Sequence, residues 1–328
     1  MFEIELKDAT RFDCSENETV FQAAKNSGVL LEHSCLSGRC SSCKAKLISG
    51  RFEHMQPETV LTAAEREAGY MLSCIARPLT DIKLDIEDLM QYNIPSTKTI
   101  PAKIERLTHL TDDVVEVVLR TPPAHKLKFL AGQYVNIIKG SVKRSYSIAS
   151  APRTDGKLEF LIRRYKGGVM SQYWFHKAQE NDLLRVEGPL GTFFLRDLSP
   201  FKSLILLATG TGIAPVKAIL EQAAHNDILK TKEIHVFWGG RYIPDLFWEP
   251  QFGDLDIKYY PVLSREKNQW TGHLGYVQDV VLQSDINLAT AQVYACGSEA
   301  MIHAAKHVLT NEGLRDSQFY SDAFVTSN

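Results

Sequence analysis

Cys35-Leu-Ser-Gly-Arg-Cys-Ser-Ser-Cys43 sets three thiols in a C-x4-C-x2-C spacing, and a fourth cysteine, Cys74, follows well downstream. Each iron of a [2Fe–2S] cluster takes two thiolates, and a tight loop can deliver three of the four when its backbone wraps the cluster. Gly38 and the small residues Ser37, Ser41 and Ser42 permit that approach, and successive N–H groups can donate to the sulfurs. Two other readings compete. A four-cysteine zinc site ordinarily shows two similar cysteine pairs, whereas Cys74 has no cysteine beside it. A Cys40–Cys43 redox disulfide would leave Cys35 and Cys74 without a task. Cys35, Cys40, Cys43 and Cys74 are therefore the candidate metal ligands of a one-electron carrier.

The flanking text agrees. Phe2-Glu-Ile-Glu-Leu6 alternates as a half-buried strand does, Thr19 to Asn26 reads as a short helix stopped by Ser27-Gly28, and Lys44 to Ile48 alternates again. Strand, helix, cysteine loop and strand in this order resemble the β-grasp fold of plant-type ferredoxins over residues 1–90. Ser41 departs from that family's pattern, where many members carry glycine.

At 328 residues the chain is too long for such a domain alone. An apolar fraction of 44% lets each domain bury a core, and a net charge of −2 with interspersed signs argues against a nucleic-acid surface. No apolar run reaches the ~20 residues of a membrane span, and no signal peptide is read at the N-terminus. Cys14 and Cys296 lie far apart, as free thiols of a reducing compartment do, so the cytoplasm is expected.

Residues 91–101, bracketed by Pro95 and Pro101, read as a linker. From 102 to 198 short β-rich runs, such as Asp113–Arg120 and Leu158–Arg164, alternate with turn residues and predict a small antiparallel barrel. Within it, Arg144-Ser-Tyr-Ser-Ile-Ala-Ser150 sets a cationic fork and an aromatic plate on one strand face, suited to a phosphate and a flat ring. Gly167-Gly-Val-Met-Ser171 reads as a glycine turn with a serine cap, heading a helix whose N–H groups can face an anion.

Residues 199–328 change character. The apolar run Ser203–Ala208 suits a strand buried on both faces of a parallel sheet. Gly210-Thr-Gly-Ile-Ala-Pro215 and a helical pattern follow, the βα unit that presents N–H groups to a pyrophosphate. Further strands are read at Glu233–Trp238, ahead of Gly239-Gly-Arg241, and at Ala291–Ala295, ahead of Cys296-Gly-Ser-Glu-Ala-Met301.

Together these motifs resemble the iron–sulfur flavoproteins of the ferredoxin–NAD(P)+ reductase family, over the whole chain. The resemblance implies a β-grasp [2Fe–2S] domain, an antiparallel β-barrel binding FAD and a Rossmann-like parallel-sheet domain binding NAD(P)H. It implies that Arg144, Gly168, Val169, Met170 and Ser171 hold the flavin pyrophosphate. Tyr146 would lie on the isoalloxazine, with Ser147 near its reactive nitrogen. Gly210, Thr211, Gly212 and Arg241 would hold the nicotinamide coenzyme, with Cys296 and Gly297 beside the nicotinamide and Phe324 covering the flavin. Ser147, Cys296 and Phe324 are thereby the catalytic candidates. Ser264-Arg265 and Tyr276 match NADPH-using members, but Leu274 stands at the intervening basic position and Glu266 adds negative charge. NADH is expected, with NADPH the second candidate.

Members of the family pass electrons from NAD(P)H through FAD and the cluster to a partner enzyme. Glu187–Phe194, Val293–Ser298 and Phe319–Val325 look closest to members that feed the pyridoxamine-phosphate (PMP)-dependent dehydrase of 3,6-dideoxysugar synthesis. The alternative is the reductase component of a ring-hydroxylating or other oxygenase. A third reading is a nucleotide-binding redox sensor.

Overall fold

The computed structural model describes residues 1–225, 229–253, 255–266 and 270–324. The chain divides into two compact units, Met1–Ile94 and Pro95–Phe324. Residues 325–328, the expected end of the last domain, lie outside the described residues.

In the first unit, β1 (Phe2–Leu6), β2 (Arg11–Cys14), β3 (Lys44–Ser49), β5 (Tyr70–Leu72) and β7 (Ile82–Leu84) form one sheet in the order β2-β1-β7-β3-β5. β1 runs parallel to β7 and the other pairs are antiparallel. β4 (Phe52–His54) and β6 (Ala76–Pro78) make a separate antiparallel ribbon. α1 (Val20–Asn26) starts where Thr19 Oγ1 accepts from the Gln22 N–H at 3.1 Å and ends before Gly28, whose φ of +77° suits glycine. Its Val20, Phe21, Ala23 and Ala24 are buried against Ile4, Leu6 and Leu84 in one core. A second helix, α2 (Ala63–Glu67), carries a Thr62/Glu65 capping box and buries nothing.

The second unit opens with a six-stranded antiparallel sheet: β8 (Lys98–His109), β9 (Val114–Arg120), β10 (Tyr134–Lys139), β11 (Val142–Ser147), β12 (Lys157–Arg163) and β13 (Leu183–Leu190), ordered β11-β10-β13-β8-β9-β12. A bridge between Ile148 and Phe160 joins the two ends and closes the barrel. Residues 98–101, read above as linker, belong to β8. Pro101 pairs with Arg185 of β13, while pairing of β8 with β9 begins only at Lys103, so the proline sits where one side needs no N–H donor. The helix α3 (Val169–His176) follows β12, and Met170 and Trp174 sink into the barrel core with Phe160 and Val186.

Next comes an all-parallel sheet of β14 (Ser203–Thr209), β15 (Glu233–Gly240), β16 (Ile257–Leu263), β17 (His273–Leu274), β18 (Ala291–Gly297) and β19 (Phe319–Ala323), ordered β17-β16-β15-β14-β18-β19. Central β14 is flanked on both sides, which explains its unbroken apolar text. The helices α4 (Ile213–Ala224), α5 (Val277–Gln283) and α6 (Glu299–Asn311) pack on the sheet. Ala131, Ala149, Leu161 and Phe193 of the barrel share a core with Ile213, Val216 and Tyr294. Among the described residues no helix is long and apolar enough to cross a membrane.

Candidate functional site

The four predicted thiols come together as two pairs. Cys43 Sγ lies 3.0 Å from Cys74 Sγ, and the Cys35 amide donates to Cys40 Sγ at 3.4 Å. All four are free thiols. Their mutual contact splits the titration within each pair. Cys35 is pulled down to about 4, first by its bond with Cys40 and then by Ser37, while Cys40 is pushed up. Cys43 is likewise raised by Cys74, and Cys74 is lowered. Among the described residues no three His, Cys, Asp or Glu side chains converge on one mononuclear metal point. Two neighbouring thiol pairs would offer two thiolates to each of two irons, so the residues fit a [2Fe–2S] cluster.

The loop is shaped for this purpose. The Ser37 amide donates to Cys35 Sγ at 3.4 Å, a bond of the kind that tunes a cluster potential. A Cβ on Gly38 would meet Ile75 Cδ1 at 2.8 Å, and the φ of +72° is glycine's. Leu36 and Ser41 hold φ of +54° and +55° without being glycine. That conformation explains why glycine suits position 41, and Ser41, buried there, carries the strain of the loop.

In the barrel, β11 presents Arg144 exposed and Tyr146 half-buried. Arg144 Nη1 donates to the Lys143 carbonyl at 2.8 Å. The Tyr146 hydroxyl accepts from Trp174 Nε1 at 3.0 Å, with the two rings edge to face, and burial pushes its pKa to about 12. Ser147, at the strand's end, is buried. The serine-cap expectation is corrected here. Gly168 is the N-cap of α3 and Ser171 is the third helical residue, its Oγ accepting from the Tyr165 N–H at 2.8 Å. The first intrahelical bond of α3 runs from Gln172 to the Gly168 carbonyl, which leaves the amides of Val169, Met170 and Ser171 ahead of it, in the anion-facing first turn. This turn and the exposed guanidinium fit a flavin pyrophosphate.

In the parallel sheet, Gly210–Gly212 form a 3-10 turn between β14 and α4 at the C-terminal ends of the strands, where ligands of such sheets bind. A Cβ on Gly212 would stand 2.3 Å from the Cys296 carbonyl oxygen, and one on Gly297 would stand 2.2 Å from Thr209 Oγ1. These glycines let the turns after β14 and β18 touch, which places Cys296 and Gly297 directly behind the Gly210–Gly212 turn. Burial raises the Cys296 thiol well above its ordinary value. The Phe324 amide donates to the Gly297 carbonyl at 2.8 Å, and its side chain packs at the rim of the shared core. Arg241 is tied to Asp245, which accepts its amide at 2.7 Å and its Nε at 3.4 Å. Gln278 Oε1, in the first turn of α5, is buried without a hydrogen-bond partner among the described residues, a polar atom suited to a coenzyme donor. The turn and this acceptor fit a dinucleotide.

Several residues of the site went unread in the sequence. Arg163 bonds Asp113 at 2.9 Å and Asp245 at 2.7 Å, and its Nη1 would lie 2.9 Å from a Cβ on Gly210. It therefore joins the end of β12 to the Gly210 turn and the loop after β15. Lys217, Glu221 and Gln222 of α4 reach the barrel at Glu159, Ala149, Ala151 and Ala131. A signal existed for Lys217, the one charge within the apolar text Ile213–Leu220. None existed for Trp174 or for the bond of Asp245 to Arg163, since Tyr146 and Arg163 are remote in sequence from them.

Comparison with known proteins agrees with this geometry. Residues 4–79 match the family described as the 2Fe-2S iron-sulfur cluster binding domain, residues 101–195 the oxidoreductase FAD-binding domain and residues 206–307 the oxidoreductase NAD-binding domain. The chain is 37% identical over 320 residues, 96% of each chain, to the CDP-6-deoxy-L-threo-D-glycero-4-hexulose-3-dehydrase reductase of Yersinia pestis. It is 30% identical, over 97% of this chain and 96% of the other, to the toluate 1,2-dioxygenase electron transfer component of Pseudomonas putida. Among solved structures, the Amycolatopsis cytochrome P450 reductase GcoB matches with a TM-score of 0.72 at 27% identity, covering 100% of both chains. A cysteine loop paired for two irons, a flavin barrel and a parallel nicotinamide-binding sheet thus follow one another in a single chain similar end to end to these reductases, and the chain belongs to the family of iron–sulfur flavoprotein oxidoreductases that bind [2Fe–2S], FAD and NAD(H).

Proposed function

We propose that the chain supplies electrons from NADH to the PMP-dependent dehydrase of 3,6-dideoxysugar (CDP-glucoseen) synthesis. The supporting observation is the end-to-end likeness, at 37% identity, to the CDP-6-deoxy-L-threo-D-glycero-4-hexulose-3-dehydrase reductase, against 30% for the toluate dioxygenase component. When bound, the flavin converts the coenzyme's electron pair into single electrons, which the cluster carries onward.

The chain's own residues take these parts. Cys35 with Cys40, and Cys43 with Cys74, would hold the two irons of the cluster. Arg144 and the amides of Val169, Met170 and Ser171 bind the flavin pyrophosphate, with Gly168, whose own amide is held by the Tyr165 carbonyl, shaping the turn. Tyr146, steadied by Trp174, flanks the isoalloxazine, and Ser147 bonds its reactive edge. The Gly210-Thr211-Gly212 turn and Arg241 orient the coenzyme, Cys296 and Gly297 line the nicotinamide position, and Phe324 shields the flavin until nicotinamide enters. NADH is favoured over NADPH because Leu274 is exposed where a second cation would meet a 2′-phosphate. The free cysteines suit a reducing cytoplasm.

The test is anaerobic. The protein is mixed with NADH, the dehydrase and its CDP-4-keto-6-deoxyglucose substrate, and 3-deoxygenated product is sought. Product that requires Cys35 and Cys40 supports the reading. Absence of product, despite NADH-driven bleaching of flavin and cluster, sinks it and favours the second reading, an oxygenase acceptor, which the likeness to the toluate dioxygenase component supports.

A further inference from the structure

One line of α4 grips the barrel. Lys217 Nζ donates to the Ala149 carbonyl at 3.1 Å and to Glu159 Oε2 at 2.9 Å. Four residues on, Glu221 Oε2 accepts from the Ala151 amide at 2.6 Å, and Gln222 Oε1 accepts from the Ala131 amide at 3.2 Å. The ring closes inside the barrel, where the Ala149 amide donates to the Glu159 carbonyl at 2.7 Å and the Glu159 amide to Ser150 Oγ at 3.2 Å. Lys217 and Glu159 side chains are only 16% and 14% exposed, so their attraction is weakly screened.

Both ends of this clasp lead to the redox site. Residues 149–151 continue directly from Tyr146 and Ser147. At the other end, α4 begins at the Gly210–Gly212 turn that touches Cys296. A Lys–Glu pair on a free surface contributes little, but here it is joined to backbone groups on the segment that carries the flavin residues.

We infer that Lys217 is a positioning residue that sets the distance between the nicotinamide turn and the flavin strand, through the Ala149 carbonyl and Glu159. This deepens, and rests on, the reading that NADH reduces a flavin held by Tyr146 and Ser147. Transfer between two bound rings depends steeply on their approach, and a displacement of about 1 Å can cost up to a hundredfold in rate. Lys217 is not placed against either ring. It acts by holding residues 147–151 against α4.

The holoprotein and its Lys217→Met and Lys217→Arg variants test this by two measurements. One is anaerobic stopped-flow bleaching of the flavin against NADH concentration, and the other is amide hydrogen exchange at residues 147–151. Lys217→Met is expected to keep its FAD, lower the limiting rate about tenfold to hundredfold, and change the apparent NADH affinity by less than about threefold. Exchange at 147–151 should quicken, and Lys217→Arg should restore both. A wild-type limiting rate, or unchanged exchange at 147–151, in Lys217→Met overturns the inference. Should that variant fold poorly or lose FAD, Glu221→Ala, which cuts the bond to Ala151, is judged by the same criteria. Failure of the wild type itself to bleach with NADH would instead overturn the underlying reading.

Discussion

A side chain on Gly212 would collide with the Cys296 carbonyl oxygen, 2.3 Å from its Cβ. The turn after β14 and the end of β18 therefore touch backbone to backbone. Gly212→Ala must push them apart, at a cost of about 1–3 kcal/mol of stability. Its FAD content should stay at the wild-type level, because the barrel is untouched. NADH saturation should weaken about tenfold or more, since the coenzyme turn itself has moved. Unchanged steady-state NADH kinetics would show that the turns yield without consequence.

Asp245 gives a pH dependence. Burial alone would raise its pKa, but the Arg241 amide and the Arg163 guanidinium outweigh that and hold it below the ordinary carboxylate range. A folded-state pKa below the unfolded one stabilises the fold above the unfolded value of about 3.9 and loses that contribution as pH falls through the folded value. Asp245→Asn should therefore be less stable than wild type by about 2 kcal/mol at pH 7, and the gap should close below about pH 4. Urea midpoints from pH 7 to pH 3 measure it; a gap that widens toward acid would contradict the assignment.

Ser41 holds a φ of +55° in the cysteine loop. Glycine adopts that conformation without the Cβ penalty, so Ser41→Gly should stabilise the folded loop by about 0.5–1 kcal/mol after its greater unfolded-state entropy is set against the relief. The holoprotein's first domain should melt higher, and the cluster should bleach more slowly in air. A lower melting point would mean that the Ser41 hydroxyl contributes more than its backbone costs.

Cys74 sits beside Cys43, 3.0 Å from its sulfur, and is the proposed cluster ligand from outside the loop. Cys74→Ser removes a thiolate from one pair, so visible absorbance and EPR of the cluster should be lost or strongly altered. Reduction of a one-electron protein acceptor should disappear while NADH–ferricyanide activity, which flavin alone supports, remains. Joint loss of both activities with FAD still bound would contradict the order of electron flow.

Much of this was legible in the text because it is local. The C-x4-C-x2-C spacing, the period-2 strands beside it, the apolar run into Gly210-Thr-Gly and the Arg-x-Tyr-Ser segment each lie within a few residues, where backbone geometry alone relates the side chains. Capping serines precede helices, so the text alone predicts a cap at Ser171. The chain uses it one turn in, to hold the Tyr165 amide, a choice made by the turn's three-dimensional path. Likewise the text predicts a linker at Pro101, yet the proline lies in β8 because only one side of the strand is paired there.

By itself the sequence determined the order of three modules and the residue types each one offers, since these follow from spacing, periodicity and composition. Only the tertiary structure decided the pairing of the four thiols, the Trp174 donor beneath Tyr146, the meeting of Gly212 with Cys296, and the clasp of Lys217 on Ala149 and Glu159. Apart from Cys35 and Cys40, which are close in sequence, these contacts join residues 28 to 84 positions apart, as with Tyr146 and Trp174 or Gly212 and Cys296. Contacts of that span exist only once sheets have closed and helices have packed, because no local backbone preference encodes them.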